Sequence, residues 1–150
     1  MEYEIFIFIN MKKKDFAYVL YDIVRNIVRG NVELREYEGY AIDIGYEKFT
    51  FSVELEDVSN IPLVNKMYAI KTNLCISLQV HSDDKLESIS PLLEILAKSM
   101  IIFDGEMLVL KNGAIVLLVR KNSKVIVNAS MERKYLDKYQ IGYSIEDEIC

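Results

Sequence analysis

The chain has 150 residues, 51% hydrophobic and 27% charged, and its 18 Lys and Arg against 23 Asp and Glu give a formal net charge of −5. That length and apolar content suit one domain with a sizeable core and exclude wholesale disorder. The acidity is spread along the chain and has the wrong sign for a nucleic-acid binder. No apolar run approaches the ~20 residues that span a bilayer. Neither a nucleic-acid nor a membrane partner is expected, and the expected location is the cytoplasm. Cys75 and Cys150 make neither a disulfide framework nor a zinc pattern. Glu2 and Glu4 at the head of the first apolar run favour a strand over a signal peptide.

In chain order, Tyr3–Ile9 is apolar on both faces from Ile5 onward, the pattern of a central strand. Phe16, Val19, Leu20, Ile23 and Ile27 recur at helical spacing, with Asp15 near the start and Gly30 past the end, which predicts an amphipathic helix. Lys12, Lys13 and Lys14 stand before it as solvated charges or as an anion patch. Tyr40–Tyr46 and Lys48–Leu55 alternate apolar with polar residues and predict a hairpin of half-buried strands. Glu56–Asn73, with Pro62 inside, predicts a long loop or a short irregular helix.

Leu74–His81 alternates again, with Leu74, Ile76, Leu78 and Val80 inward and Cys75, Ser77, Gln79 and His81 outward. Ser82–Met100 predicts a second helix, Asp84 and Glu87 forming a capping box. Pro91 either kinks this helix or begins it, with Ser90 as cap. Asp104–Arg120 predicts a hairpin around Asn112-Gly113, the strongest short-range signal for a type I′ turn. Lys124–Asn128 adds a strand, and the tail from Met131 a short helix. The order predicts an α+β fold, a largely antiparallel sheet of about six to seven strands with two main helices packed on one face. The other face would carry Asp43, Lys48, Thr50, Ser52, Glu54, Cys75, Ser77, Gln79 and His81, a flat and wet platform.

Little reactive chemistry assembles. Cys75 and His81 fall six residues apart in one strand, so their backbones lie ~20 Å apart, too far for a nucleophile and base that need ~3 Å, and Cys75 is expected to be a structural residue that packs as a small hydrophobe. His81, Asp83 and Asp84 offer donor types that suit a divalent ion, so a small metal-dependent enzyme is the rival reading. A helix N-cap by Asp83 or Asp84 is the plainer one. None of the common phosphate-binding, zinc-protease or serine-hydrolase motifs occurs, and no metal or other cofactor is expected. Around the first hairpin, Glu33, Glu36, Tyr37, Glu38, Asp43, Glu47, Glu54, Glu56 and Asp57 form a candidate partner-binding surface. Acids steer a basic partner, and tyrosine supplies apolar area with a polar tip. The competing reading is a solubilising surface, with Tyr40 and Tyr46 inward in the core.

The stretch LCISLQVHSDDKLESISPLLEILAKSMIIFDGEMLVLKNGAIVLLVRKNSKVIVN, Leu74–Asn128, resembles the Sit-type immunity proteins of bacterial polymorphic-toxin systems, known from myxobacterial swarm competition. The opening strand, helix and hairpin are similar in outline, so the resemblance runs over Met1–Asn128. The chain departs in its Glu56–Asn73 segment, its lack of tryptophan and its Lys- and Tyr-bearing tail. The resemblance implies a non-enzymatic protein that binds and neutralises one cognate protein toxin in the producing cell. A basic nuclease is the kind of toxin its acidity would attract. A monomer or weak homodimer suffices for that role. A structural adaptor subunit pairing through a sheet edge is a third reading.

Overall fold

The computed structural model describes residues 2–56, 60–87 and 89–149. In chain order the elements are β1 (Glu2–Ile7), α1 (Lys13–Ile27), β2 (Glu33–Tyr37), β3 (Ala41–Gly45), β4 (Phe49–Glu54), α2 (Asn60–Tyr68), β5 (Leu74–Val80), α3 (Ser90–Ile102), β6 (Met107–Lys111), β7 (Ile115–Lys121), β8 (Lys124–Asn128), α4 (Lys134–Lys138) and β9 (Ser144–Glu146). The strands form one nine-stranded sheet in the order β2-β3-β4-β5-β1-β6-β7-β8-β9. Neighbours are antiparallel except β8 and β9. The α+β class and the antiparallel character are those expected. The strand number is higher than six or seven because β2 and β9 extend the two edges. Neither carries a buried residue, so neither shows the alternation by which a half-buried strand is recognised.

Strand β1 lies at the centre of the sheet, and its two faces enter different cores. Tyr3, Ile5 and Ile7 join a large cluster with Phe16 and Leu20 of α1 and Leu92, Ile95 and Leu96 of α3. Phe6 joins a smaller cluster on the opposite face with Ile61 and Val64 of α2, Cys75, Leu108, Leu110 and Val116. Helices α1 and α3 thus cover one face together, as expected. Helix α2 covers part of the other face, and the face expected to be wholly wet is half dry.

Among the described residues, 82–87 and 89 do not extend the second helix. Helix α3 starts at Ser90, so Pro91 begins it rather than kinking it, but the cap position is Ile89, with no side-chain cap hydrogen bond, rather than Ser90. A first-turn proline loses no hydrogen bond, because its N–H would have had no intrahelical acceptor. The expected capping box is not formed. Asp84 accepts a hydrogen bond from Ser82 Oγ at 2.9 Å. Glu87 turns inward, where Tyr3 Oη donates to it at 3.0 Å and Lys111 Nζ pairs with it at 2.8 Å. The α3 end is closed by Arg120 of β7, which is 8% exposed. Its guanidinium donates to the carbonyls of Met100, Gly105 and Phe103.

The Asn112-Gly113 turn has positive φ at both residues, 52° and 73°, as type I′ requires. Asn122-Ser123 repeats this geometry between β7 and β8 with φ of 52° and 63°. The tail is tied back by Ala129 N–H to Glu146 O and Glu132 N–H to Glu87 O, at 2.9 and 2.8 Å.

Candidate protein-binding face

The outer half-sheet formed by β2, β3, β4, β5 and β1 is left open by α2. Its surface follows from strand register. Asp43 lies opposite Ser52, Ser52 opposite Ser77, and Ser77 opposite Glu4. One step along, Thr50 lies opposite Gln79 and Gln79 opposite Glu2. These residues alternate with the buried Ile42, Phe51, Leu78 and Tyr3, so both rows must point away from α1 and α3. The turn at Asn112-Gly113 rises at the end of the second row, pinned by Asn112 N–H to Glu2 O at 3.0 Å. A depression of about 450 Å³ results, lined by Glu2, Glu4, Asp43, Thr50, Ser52, Ser77, Gln79, Asn112 and Gly113. Among the described residues, the side chains of Ser52, Ser77 and Gln79 have no hydrogen-bond partner within the protein.

At the border with α2, Glu54 sits beside Cys75. Burial is the largest influence on the Glu54 carboxyl and raises its pKa, the nearby Glu4 charge raises it further, and the Cys75 thiol and Lys13 only partly offset this. Its Oε2 is buried with no hydrogen-bond partner among the described residues. Burial, then the Glu54 and Glu4 charges, push the Cys75 thiol far above its ordinary range. A nucleophilic cysteine must form thiolate, so Cys75 packs as a small apolar residue.

The expected surface residues separate into groups. Glu33, Tyr37, Asp43 and Glu54 share the outer face, where Gly45, Ala41 and Ser52 mark the same side by register. Glu36 lies opposite the buried Ile42 and points the other way, to an ion pair with Lys14 of α1 at 2.9 Å. Glu38 and Glu47 are exposed between strands. Glu56 follows β4, and its carbonyl accepts from Lys13 Nζ at 3.3 Å. Asp57 and Cys150 lie outside the described residues. Tyr40 is 67% exposed rather than inward. Tyr46 is half-buried, 5.1 Å from the Phe49 ring, and donates its hydroxyl to Arg29 O.

His81 is not gathered with Asp83 and Asp84. Its Nε2 lies 2.8 Å from Thr50 Oγ1. Among the described residues, no group of three His, Cys, Asp or Glu side chains could hold a metal ion. Glu2 and Glu4 escaped the sequence reading as surface residues. Their alternation with Tyr3 and Ile5 is the signal that places them on the outer face.

The result is a half-sheet with an acidic, hydroxyl-bearing outer surface. No family model, no curated protein and no solved structure matches this chain. Among the described residues, no helix is long and apolar enough to cross a membrane.

Proposed function

We propose that the protein works by binding another protein through this open acidic face, and that the partner is a cognate bacterial toxin which it neutralises. The observation that carries the reading is the uneven covering of one sheet. Helix α2 buries Phe6, Cys75, Leu108, Leu110 and Val116, while the adjoining half of the same face carries Glu2, Glu4, Glu33, Asp43 and Glu54 against Arg35 and Lys48. An inhibitor benefits from a surface already shaped for its target, because ordering on binding subtracts from affinity. Five strands hydrogen-bonded side by side supply that rigidity. Net acidity speeds encounter with a basic partner. The Sit-type resemblance supplies the biological role, and a basic nuclease matches the charge.

The test is co-expression with the product of the adjacent open reading frame. Growth rescue and a one-to-one complex on co-purification are expected, with association slowing as salt is raised. A toxin-like neighbour whose effect the protein leaves unchanged would remove the reading.

A further inference from the structure

Resting on that reading, we infer that the depression between Glu4 and Asp43 receives a short basic segment of the partner protein, its arginine or lysine side chains meeting carboxylates on both walls. Asp43 and Glu4 belong to the same cross-strand row, with Ser52 and Ser77 between them. Three strand spacings set these walls ~14 Å apart at the backbone. An α-helix with its side chains is about 10–12 Å across, so the trough admits a single helix or an extended strand but not a whole domain surface.

The floor suits such an occupant. Ser52, Ser77 and Gln79 carry hydrogen-bonding groups that none of the described residues uses. They are fixed by β4 and β5, which are paired on both sides. The Asn112-Gly113 turn closes one end and brings Gly113 close to Glu4, whose Oε1 would lie 3.8 Å from a Cβ added at Gly113. Glu2 stands on the same side. The cations of this half-sheet stand at its margins: Arg35 is on the edge strand beside Tyr37, Glu33 and Asp43, and Lys48 precedes β4 next to His81. The β1 wall therefore offers Glu2 and Glu4 with no cation opposite them in register, while Asp43 on the far wall has Arg35 opposite it across β2 and β3. Guanidinium groups match that arrangement best, because their planar fork binds a carboxylate in two places and still has donors for hydroxyls.

Backbone amide chemical shifts of the full chain would be followed during titration with a nine-residue oligoarginine peptide, and in parallel with spermidine. Shifts centred on Ser52, Ser77, Gln79, Asn112 and Gly113 are expected with the peptide. The double substitution E4Q/D43N should weaken peptide binding about tenfold. The double substitution E36Q/E47Q, which removes equal charge elsewhere, should change it less than about twofold. Equal weakening by both pairs, or shifts spread over all acidic residues, would overturn the inference and indicate charge alone. The same shifts with spermidine at comparable affinity would also overturn it, in favour of a small-cation site. A toxin still neutralised by the E4Q/D43N protein with undiminished affinity would sink this inference and leave the proposed function standing. Loss of neutralisation in E36Q/E47Q alone would place the contact on the α1 side.

Discussion

Two glutamates lie against opposite faces of the sheet, and the protein treats them differently. Glu87 is 6% exposed on the α1–α3 side. There Tyr3 Oη donates to one carboxylate oxygen and Lys111 to the other. Burial alone would raise its pKa. The Lys111 hydrogen bond, a backbone hydrogen bond, the Tyr3 hydroxyl and the Lys111 charge together outweigh burial and lower it. Tyr3 in turn stays protonated, its pKa pushed up to about 12, chiefly by burial. Glu54, on the α2 side, has a raised pKa and a buried oxygen with no partner among the described residues. The helix-covered side has its polar groups paired off. The outer side keeps hydrogen-bonding and charge capacity in reserve, at some cost in stability, which is the condition expected of a surface completed by another molecule.

The strongest way to break this contrast is Glu87→Ala. It leaves the Lys111 ammonium, whose side chain is only 13% exposed, and the Tyr3 hydroxyl without their acceptor. Removing one member of a buried pair costs about 3–5 kcal/mol. Urea unfolding at neutral pH should show a loss of that order. A change below about 1 kcal/mol would mean that the network does not hold the loop before α3 in place. Arg120→Met comes next. Met preserves much of the apolar stem but leaves the Met100, Phe103 and Gly105 carbonyls without the guanidinium that caps them. A loss of about 2–3 kcal/mol is expected, measured in the same way. Hydrogen exchange should also rise in the last turn of α3, because those carbonyls belong to its end and the link to β6.

How much of this contrast was legible in the sequence depends on the residue. Strand β1, the β3–β4 and β6–β7 hairpins and helix α1 could be read because their apolar residues repeat with the period of the element. The same alternation exposed Ser52, Ser77, Gln79 and Asp43 as outward. Strand β2 could not be read that way, because an edge strand leaves Glu33, Arg35 and Tyr37 to solvent. Glu36 reads like them for the same reason. Without the register to Ile42, nothing shows that it turns toward Lys14. The outer core under α2 was also hidden. Cys75 occupies a position in the alternation that reads as polar-facing, and only the folding of 60–68 back over Phe6 makes it dry. Glu87 looked like a helix-capping residue because a capping box needs only spacing. Its true partners, Tyr3 and Lys111, are far away in sequence, and local pattern carries no information about them.

The smallest effect is the one that sharpens the comparison. Glu54→Gln removes a charge from a partly desolvated site and relieves repulsion from Glu4, while a carbonyl oxygen remains for the Cys75 thiol. The substitution should stabilise the protein at pH 7 by no more than about 1 kcal/mol, because solvent screening reduces the gain. The two glutamates predict opposite pH dependences. A raised folded pKa means that Glu54 contributes favourably below its unfolded value, about 4.3, and that this contribution is lost as pH rises through the folded value. A lowered folded pKa means that Glu87 contributes above about 4.3 and is lost as pH falls through its folded value. The gain from Glu54→Gln should therefore shrink to nothing on acidification below the unfolded value, and the penalty of Glu87→Gln should shrink over the still more acidic range. Chemical denaturation of both variants and the parent chain at pH 3, 5 and 7 separates the two trends. A Glu54→Gln protein less stable than the parent at pH 7 would show that the Glu54 charge is compensated after all, and that the two faces are not built differently.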